Sequence, residues 1–185
     1  MPFLHSLTEL SHTTSGTHPN YSVLAIPAYW ILSIAPHAGA IYLASRGQLQ
    51  DWDNTCPRSI DHKAHLKSTL SDDEYATYER VEAASANSLE NLPLFATAIV
   101  LGNLAGFRKE GWKGLYGFTA AFLVLRTLHT ISYISIKTSG ASYIRTFLWA
   151  TSSALCLNVI TKSAWALGGL VKGVSSSGAS AFRAD

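Results

Sequence analysis

Polar side chains recur at helical spacing inside three apolar stretches of this chain. They are Arg80, Asn87 and Glu90 in the first stretch, Arg126, His129 and Tyr133 in the second, and Arg145 at the start of the third. A charged side chain at the centre of a bilayer costs about 2.5–3.5 kcal/mol, so such residues mark a functional site or an interhelical pair. Arginines supply fixed positive charge, while an amide and a phenol supply neutral hydrogen bonds. We therefore expect a pocket that binds a small zwitterionic or multiply anionic molecule.

The apolar stretches are long enough to be membrane-spanning helices. The chain is 48% hydrophobic and only 14% charged, whereas a soluble domain is about 25% charged. Four blocks, near residues 23–44, 83–105, 115–136 and 143–171, approach the roughly 20 apolar residues that cross a bilayer. Short turns join the last three blocks, which makes neighbouring helices antiparallel. The sequence predicts an all-α fold, an integral membrane four-helix up-down bundle.

The order of the four blocks predicts that their polar groups meet near one membrane face. Ser71 and Glu74 have capping-box spacing, so the second long helix begins there, within the polar stretch 46–79, and projects past the membrane surface before it enters the bilayer. That helix enters the membrane from the side of the polar stretch, the third leaves on that side, and the fourth enters from it. The polar half of each helix therefore lies in the same leaflet.

Composition argues against several other classes of protein. The net charge of +2 is small and scattered, which predicts no nucleic-acid partner. Two cysteines cannot form a four-cysteine zinc site, and we expect no metal. The first 20 residues lack the basic and apolar regions of a cleavable signal peptide. We expect a polar segment at 1–20, a transmembrane four-helix domain at 21–172, and a flexible Ser/Gly/Ala-rich tail at 173–185.

Three of these motifs resemble a known family. Residues 87–95 match the pattern Asn-x-x-Glu-Asn-x-Pro-x-Phe in full. This pattern is similar to the second-helix signature of the MAPEG family, the membrane-associated proteins in eicosanoid and glutathione metabolism. The spacing of Arg126, His129 and Tyr133 resembles the third helix of its microsomal glutathione transferase and prostaglandin E synthase branch. Arg145 and Thr146 resemble the Arg-Ser pair that opens the fourth helix there.

The resemblance implies a fold, a cofactor and roles for individual residues. The protein would be a homotrimer in the endoplasmic reticulum or a related membrane, with glutathione between adjacent subunits. It would act as a transferase or peroxidase on a lipophilic substrate delivered from the membrane lipid. Arg145 would be catalytic and would stabilise the glutathione thiolate. The residues implied to bind glutathione are Arg80, Asn87, Glu90, Arg126, His129 and Tyr133.

One departure from the family pattern leaves two further functions open. The family usually has an arginine four residues before the motif asparagine, and this chain has Ala83 there. The loss favours a non-catalytic membrane protein of the same fold that binds lipid or a protein partner. A membrane enzyme acting on a hydrophobic metabolite without glutathione is a third hypothesis.

Individual residues also have structural interpretations. Glu90 and Arg126 could form an interhelical ion pair that fixes the register of the bundle. Asn87 and Asn91 could join helices by hydrogen bonds, worth about 0.6 kcal/mol each on average. Arg145 could instead extend to the lipid headgroups.

Overall fold

The computed structural model of the chain describes residues 19–138 and 140–181, with side chains for 19–50, 52–138 and 140–169. These residues form five α-helices, two short 3-10 turns and no strand, so the predicted all-α fold is confirmed for this part of the chain. The helices are α1 (Tyr21–Ala44), α2 (Ile60–Thr69), α3 (Asp72–Leu104), α4 (Leu115–Ser135) and α5 (Tyr143–Ala181), and the turns are Leu49–Asp51 and Gly140–Ser142. Most of the predicted polar segment 1–20 and the end of the predicted tail lie outside the described residues.

The start of α3 has the capping box that the sequence predicts. The backbone N–H of Ser71 donates to Glu74 Oε2 at 2.8 Å, and the N–H of Glu74 donates to Ser71 Oγ at 3.4 Å. Each residue thus satisfies a backbone donor of the first helical turn. This cap fixes where α3 begins, and from there the helix continues without a break to Leu104.

Two helices differ from the sequence prediction in extent. The polar stretch 46–79 was predicted as a loop before the capped helix, but it contains α2, whose N-cap Ser59 accepts from the N–H of His62 at 3.1 Å. The serine at position 59 could have predicted the start of α2 as an N-cap, although the spacing of apolar residues does not reveal this helix. The last helix continues to Ala181, past the predicted domain boundary at 172, because no proline interrupts its hydrogen-bond ladder.

Contacts between distant residues show how the four long helices run. The start of α1 meets the end of α3, where Asn20 Nδ2 donates to Asn103 Oδ1 at 2.7 Å. The end of α4 meets the start of α3, where Lys137 Nζ donates to Asp73 Oδ1 at 2.6 Å. Both contacts require antiparallel neighbours. Helix α3 packs against α1, α4 and α5, so it carries the centre of the bundle.

Aromatic packing fixes the depth of α1, α3 and α4 relative to one another. Phe95 of α3 stacks on Phe122 of α4, with ring centroids 4.1 Å apart. Tyr29 of α1 meets both rings edge-on at 5.4 and 5.0 Å. Edge-to-face and offset stacked pairs contribute roughly 0.5–1.5 kcal/mol each beyond their buried area. This cluster lies directly beside the polar residues of the candidate site.

One helix among the described residues, α1, is both long enough and apolar enough to cross a membrane. The sequence predicts four spans, and the three others carry polar residues that lower their apolar character. Glu79, Glu82 and Glu90 lie on α3, while Arg126 and His129 lie on α4. The four-span arrangement therefore stays a prediction.

Candidate functional site

Arg126 is a buried cation held between three helices. Its side chain lies on α4 and is 0% exposed. Its Nη2 atom donates to the Oδ1 and the backbone oxygen of Asn87 at 3.0 and 3.2 Å, and to Ser88 Oγ at 3.4 Å. Its Nε atom donates to Tyr29 Oη of α1 at 2.9 Å. These oxygens hold the guanidinium in one position.

No carboxylate of the described residues forms an ion pair with Arg126. The pair with Glu90 that the sequence allowed is therefore not formed within the chain. A buried charge without a counter-charge is costly, and neutral oxygens compensate it only in part. The arrangement therefore leaves positive potential at this depth of the bundle.

A cavity of about 430 Å³ opens beside Asn87 and joins α3, α4 and the start of α5. Its lining residues are Asn87, His129, Tyr133, Ser142, Arg145, Thr146 and Trp149. The volume falls in the roughly 300–1,000 Å³ range of small-molecule sites. Four of the seven predicted site residues, Asn87, His129, Tyr133 and Arg145, therefore meet at one cavity. A fifth, Arg126, lies next to it through Asn87.

Tyr133 and Arg145 pack against each other at the wall of this cavity. The Cζ atom of Arg145 lies 4.6 Å from the centroid of the Tyr133 ring, in cation–π geometry. The ring of His129 lies 5.5 Å from the same ring. The hairpin between α4 and α5 brings these residues together, because Tyr133 lies near the end of α4 and Arg145 near the start of α5.

Several buried nitrogen atoms at this site have no hydrogen-bond partner among the described residues. They are Nδ1 of His129 and Nε of Arg145, which line the cavity, and Nη1 of Arg126 beside it. More than nine in ten buried polar groups in proteins are satisfied, so a cluster of unsatisfied ones needs an explanation. Two of the three belong to cationic guanidinium groups, which only donate. The donor set fits an anionic ligand with several oxygen atoms.

Arg80 and Glu90 do not line this cavity. Nη2 of Arg80 donates to Thr77 Oγ1 of its own helix at 2.8 Å. Glu90 is exposed and lines a second cavity of about 640 Å³, together with Arg58, Lys63 and Ala83. Within one chain, the second-helix motif is therefore split between two faces of α3.

Sequence reasoning did not single out Tyr29, Ser88 or the pair formed by His37 and Glu82. Tyr29 Oη accepts from Arg126 and donates to the backbone oxygen of Ser88 at 3.0 Å. His37 Nδ1 lies 2.6 Å from Glu82 Oε1, joining α1 to α3. A tyrosine or histidine in an apolar helix gives no sign of its partner, because the partner comes from a distant helix.

Asn91, which the sequence suggested as an interhelical contact, has such a contact. Its Oδ1 accepts from Ser153 Oγ of α5 at 3.3 Å, and its Nδ2 donates to the backbone oxygen of Asn87 at 3.0 Å. Both asparagines of the motif therefore make interhelical contacts, but to different helices. Asn91 joins α3 to α5, whereas Asn87 connects Arg126 to the cavity.

A comparison with known protein families identifies the family of this chain. The model of the MAPEG family matches residues 21–165, most of the chain and all of the site described above. The chain belongs to the MAPEG family. No curated protein matches it, and no solved structure does.

Membership of MAPEG has consequences for the setting of the site. The family is membrane-associated, so the apolar helix α1 is read as a membrane segment. The family also indicates a role in glutathione-related or eicosanoid metabolism at a membrane. The specific branch within MAPEG and the activity belong to the proposal that follows.

Proposed function

We propose that this MAPEG protein is an integral membrane enzyme that uses glutathione, as a transferase or a peroxidase, on a lipophilic substrate. The observation that carries the proposal is the cavity of Asn87, His129, Tyr133 and Arg145, which lies beside the buried cation Arg126. Within the MAPEG family, we assign the protein to the microsomal glutathione transferase and prostaglandin E synthase branch as part of this proposal. The proposed location is the endoplasmic reticulum or a related membrane.

The residues present fit glutathione as a ligand. The tripeptide has two carboxylates, amide carbonyls and a thiol, and the site offers guanidinium donors without partners at Arg145 and Arg126 and an imidazole nitrogen without a partner at His129. The Oδ1 atom of Asn87 accepts from Arg126, so the Nδ2 group of Asn87 is available as a donor. The hydroxyl groups of Tyr133 and Thr146 add neutral hydrogen bonds at the wall of the cavity.

Arg145 is the proposed catalytic residue. Bound glutathione supplies a thiol, whose thiolate is the reactive form for conjugation or for peroxide reduction. A cation beside a thiol lowers its pKa from about 8.5 toward neutrality. Tyr133 holds the guanidinium of Arg145 by the cation–π contact at 4.6 Å. Arg126 is buried behind Asn87, which lines the cavity. There it is proposed to orient Asn87 and to add positive potential.

The proposed assembly is a homotrimer with glutathione between adjacent chains. Arg80 and Glu90 lie outside the cavity of their own chain. In the trimer they are proposed to bind the ligand across the interface between chains. The lipophilic substrate is proposed to enter from the bilayer beside Trp149, which is 43% exposed at the edge of the cavity.

Equilibrium binding of glutathione to detergent-purified protein tests the cofactor. We expect saturable binding by calorimetry, and conjugation of glutathione to a chlorodinitrobenzene probe. We expect Arg145→Gln to lower kcat more than it raises KM and to shift the rate–pH profile toward higher pH, because the thiolate loses its neighbouring cation. Lys67→Gln, which removes an exposed charge on α2, is the matched control and should leave both constants unchanged. Absence of both binding and turnover in the parent protein refutes the proposal.

A second candidate function has its own observation. Ala83, which stands at the position of the family arginine, lines the cavity of Glu90 together with Arg58 and Lys63. A pocket without that arginine favours a non-catalytic protein of the same fold that binds lipid or a partner. Glutathione-dependent turnover by the parent protein removes this candidate. Binding of glutathione without turnover of any electrophile or peroxide supports it.

A further inference from the structure

A cluster of three cations lies at the opposite end of the bundle from the glutathione site. Arg108 and Lys113 come from the connection between α3 and α4, and Lys162 comes from α5. They line one cavity of about 260 Å³ together with Phe107, Gly114 and Leu115. None of these lining residues is acidic.

None of the three cations forms an ion pair with a carboxylate of the described residues. The ion pairs of the described residues are His37 with Glu82, Arg46 with Glu74 and Lys137 with Asp73, and none includes Arg108, Lys113 or Lys162. Like charges that converge repel one another, which an anion between them would relieve. Arginine and lysine both bind phosphate groups through charge-assisted hydrogen bonds.

The backbone holds this cluster in place. The N–H of Leu115 donates to the carbonyl of Arg108 at 2.9 Å, which folds the connection back onto the start of α4. Gly117 lets the connection approach α4 closely, because a Cβ there would lie 2.1 Å from the carbonyl oxygen of Trp112. The positions of Arg108 and Lys113 relative to α4 are therefore set by the fold and not by a free loop.

The position of the cluster along α5 fits one edge of a bilayer whose other edge lies near Tyr143. Along α5, Lys162 is separated from Tyr143 by about 28 Å of helix at 1.5 Å per residue, close to the hydrocarbon thickness of about 30 Å. Trp112 and Trp165 flank the cluster and are 80% and 81% exposed. Tryptophan is enriched at the membrane–water interface, where lipid headgroups lie.

From this placement we propose that Arg108, Lys113 and Lys162 form a binding site for the phosphate headgroup of an anionic phospholipid. Basic pockets between helices at the membrane surface bind such headgroups. The inference rests on the membrane setting of the family and not on glutathione chemistry. Lipid binding and glutathione turnover are measured separately, so either proposal can fail alone.

Native mass spectrometry of the full chain with bound lipid tests the site. The probes are phosphatidylglycerol and phosphatidylcholine with the same acyl chains, added to the detergent-purified protein. We expect preferential retention of phosphatidylglycerol, reduced about fivefold by Lys162→Gln, since each cation near the surface contributes about 1 kcal/mol. The triple variant Arg108→Gln/Lys113→Gln/Lys162→Gln should lose about a hundredfold, because three such contributions add. Raising the salt concentration should weaken the preference.

A control of equal charge separates the cluster from net charge. The triple variant Arg58→Gln/Lys63→Gln/Lys67→Gln removes the same number of positive charges from the stretch between α1 and α3 and should keep the preference. An equal loss in both triple variants overturns the proposal, and so does equal retention of both lipids by the parent protein. Displacement of phosphatidylglycerol by an equal concentration of inorganic phosphate would show a site for soluble phosphate, which also overturns it. If the triple variant does not fold, Lys162→Gln alone decides the outcome.

Discussion

The Nε atom of Arg126 lies 2.9 Å from the hydroxyl oxygen of Tyr29, and both side chains are 0% exposed. The Tyr29 hydroxyl donates in turn to the backbone oxygen of Ser88. One phenol thus links α1, α3 and α4 around the buried cation. Removing a charge-assisted hydrogen bond costs more than removing a neutral one, since a buried donor stays behind without a partner.

Tyr29→Phe should therefore destabilise the protein without changing the shape of its core. The phenyl ring keeps its contacts with Phe95 and Phe122, but Arg126 Nε and the Ser88 carbonyl lose their partner. We expect a cost of about 1–3 kcal/mol, or a fall in Tm of about 2–12 °C for a chain of this size, measured by thermal unfolding in detergent. Tyr21→Phe, at a residue that is 55% exposed, is the control. A Tm equal to that of the parent would mean that the Tyr29 hydroxyl does not support Arg126.

Stability should depend on pH through the pair of Asp73 and Lys137. The hydrogen bond and charge of Lys137 hold the pKa of Asp73 below its usual value of 3.8. A carboxyl whose pKa is lowered on folding stabilises the folded state above its unfolded pKa, and this contribution is lost as the pH falls through the folded pKa. Asp73→Asn should thus lower Tm slightly at pH 6–7, and the difference should disappear once the pH is below the folded pKa of Asp73, where the carboxyl is protonated. The difference is small because both side chains are largely exposed.

Asp72→Asn serves as the control for that titration. Asp72 also lies in the first turn of α3, so it shares the interaction with the helix N-terminus but forms no ion pair among the described residues. A pH dependence equal in the two variants would assign the effect to the helix terminus and not to Lys137.

Gly117→Ala should disrupt the junction between the α3–α4 connection and α4. The new Cβ would lie 2.1 Å from the carbonyl oxygen of Trp112, and backbone atoms cannot move aside as a flexible side chain can. We expect lower thermal stability, with faster hydrogen exchange of the amides at 108–116. Gly168→Ala is the matched substitution, because a Cβ at Gly168 meets no atom within 4 Å. That substitution should be neutral or stabilising by up to about 1 kcal/mol.

The two cysteines should differ sharply in reactivity. Cys56 is exposed, whereas Cys156 is buried in the cluster around Phe95 and Phe122. A maleimide should label one thiol per chain in the folded protein and both after denaturation, as counted by mass spectrometry. Cys56→Ser should abolish labelling of the folded protein. Labelling of Cys156 under native conditions would contradict the packing of α5 against α3 and α4.

The sequence by itself determined the features that depend on local spacing. The capping box of Ser71 and Glu74 and the helical spacing of Arg126, His129 and Tyr133 follow from a repeat of 3.6 residues per turn. The start of α5 at Tyr143 was also readable from the apolar pattern. These predictions need no knowledge of a neighbouring helix.

Only the tertiary structure decided which face of each helix meets which partner. Asn87 and Glu90 are three residues apart, yet Asn87 contacts Arg126 while Glu90 lies in a different cavity. The rotation of α3 is set by burial of residues such as Ser88 and Phe95 against α1 and α4. A short periodic pattern does not specify that rotation, because it depends on side chains of three helices packing at once. For the same reason, the role of Tyr29 in holding Arg126 could not be read from either residue alone.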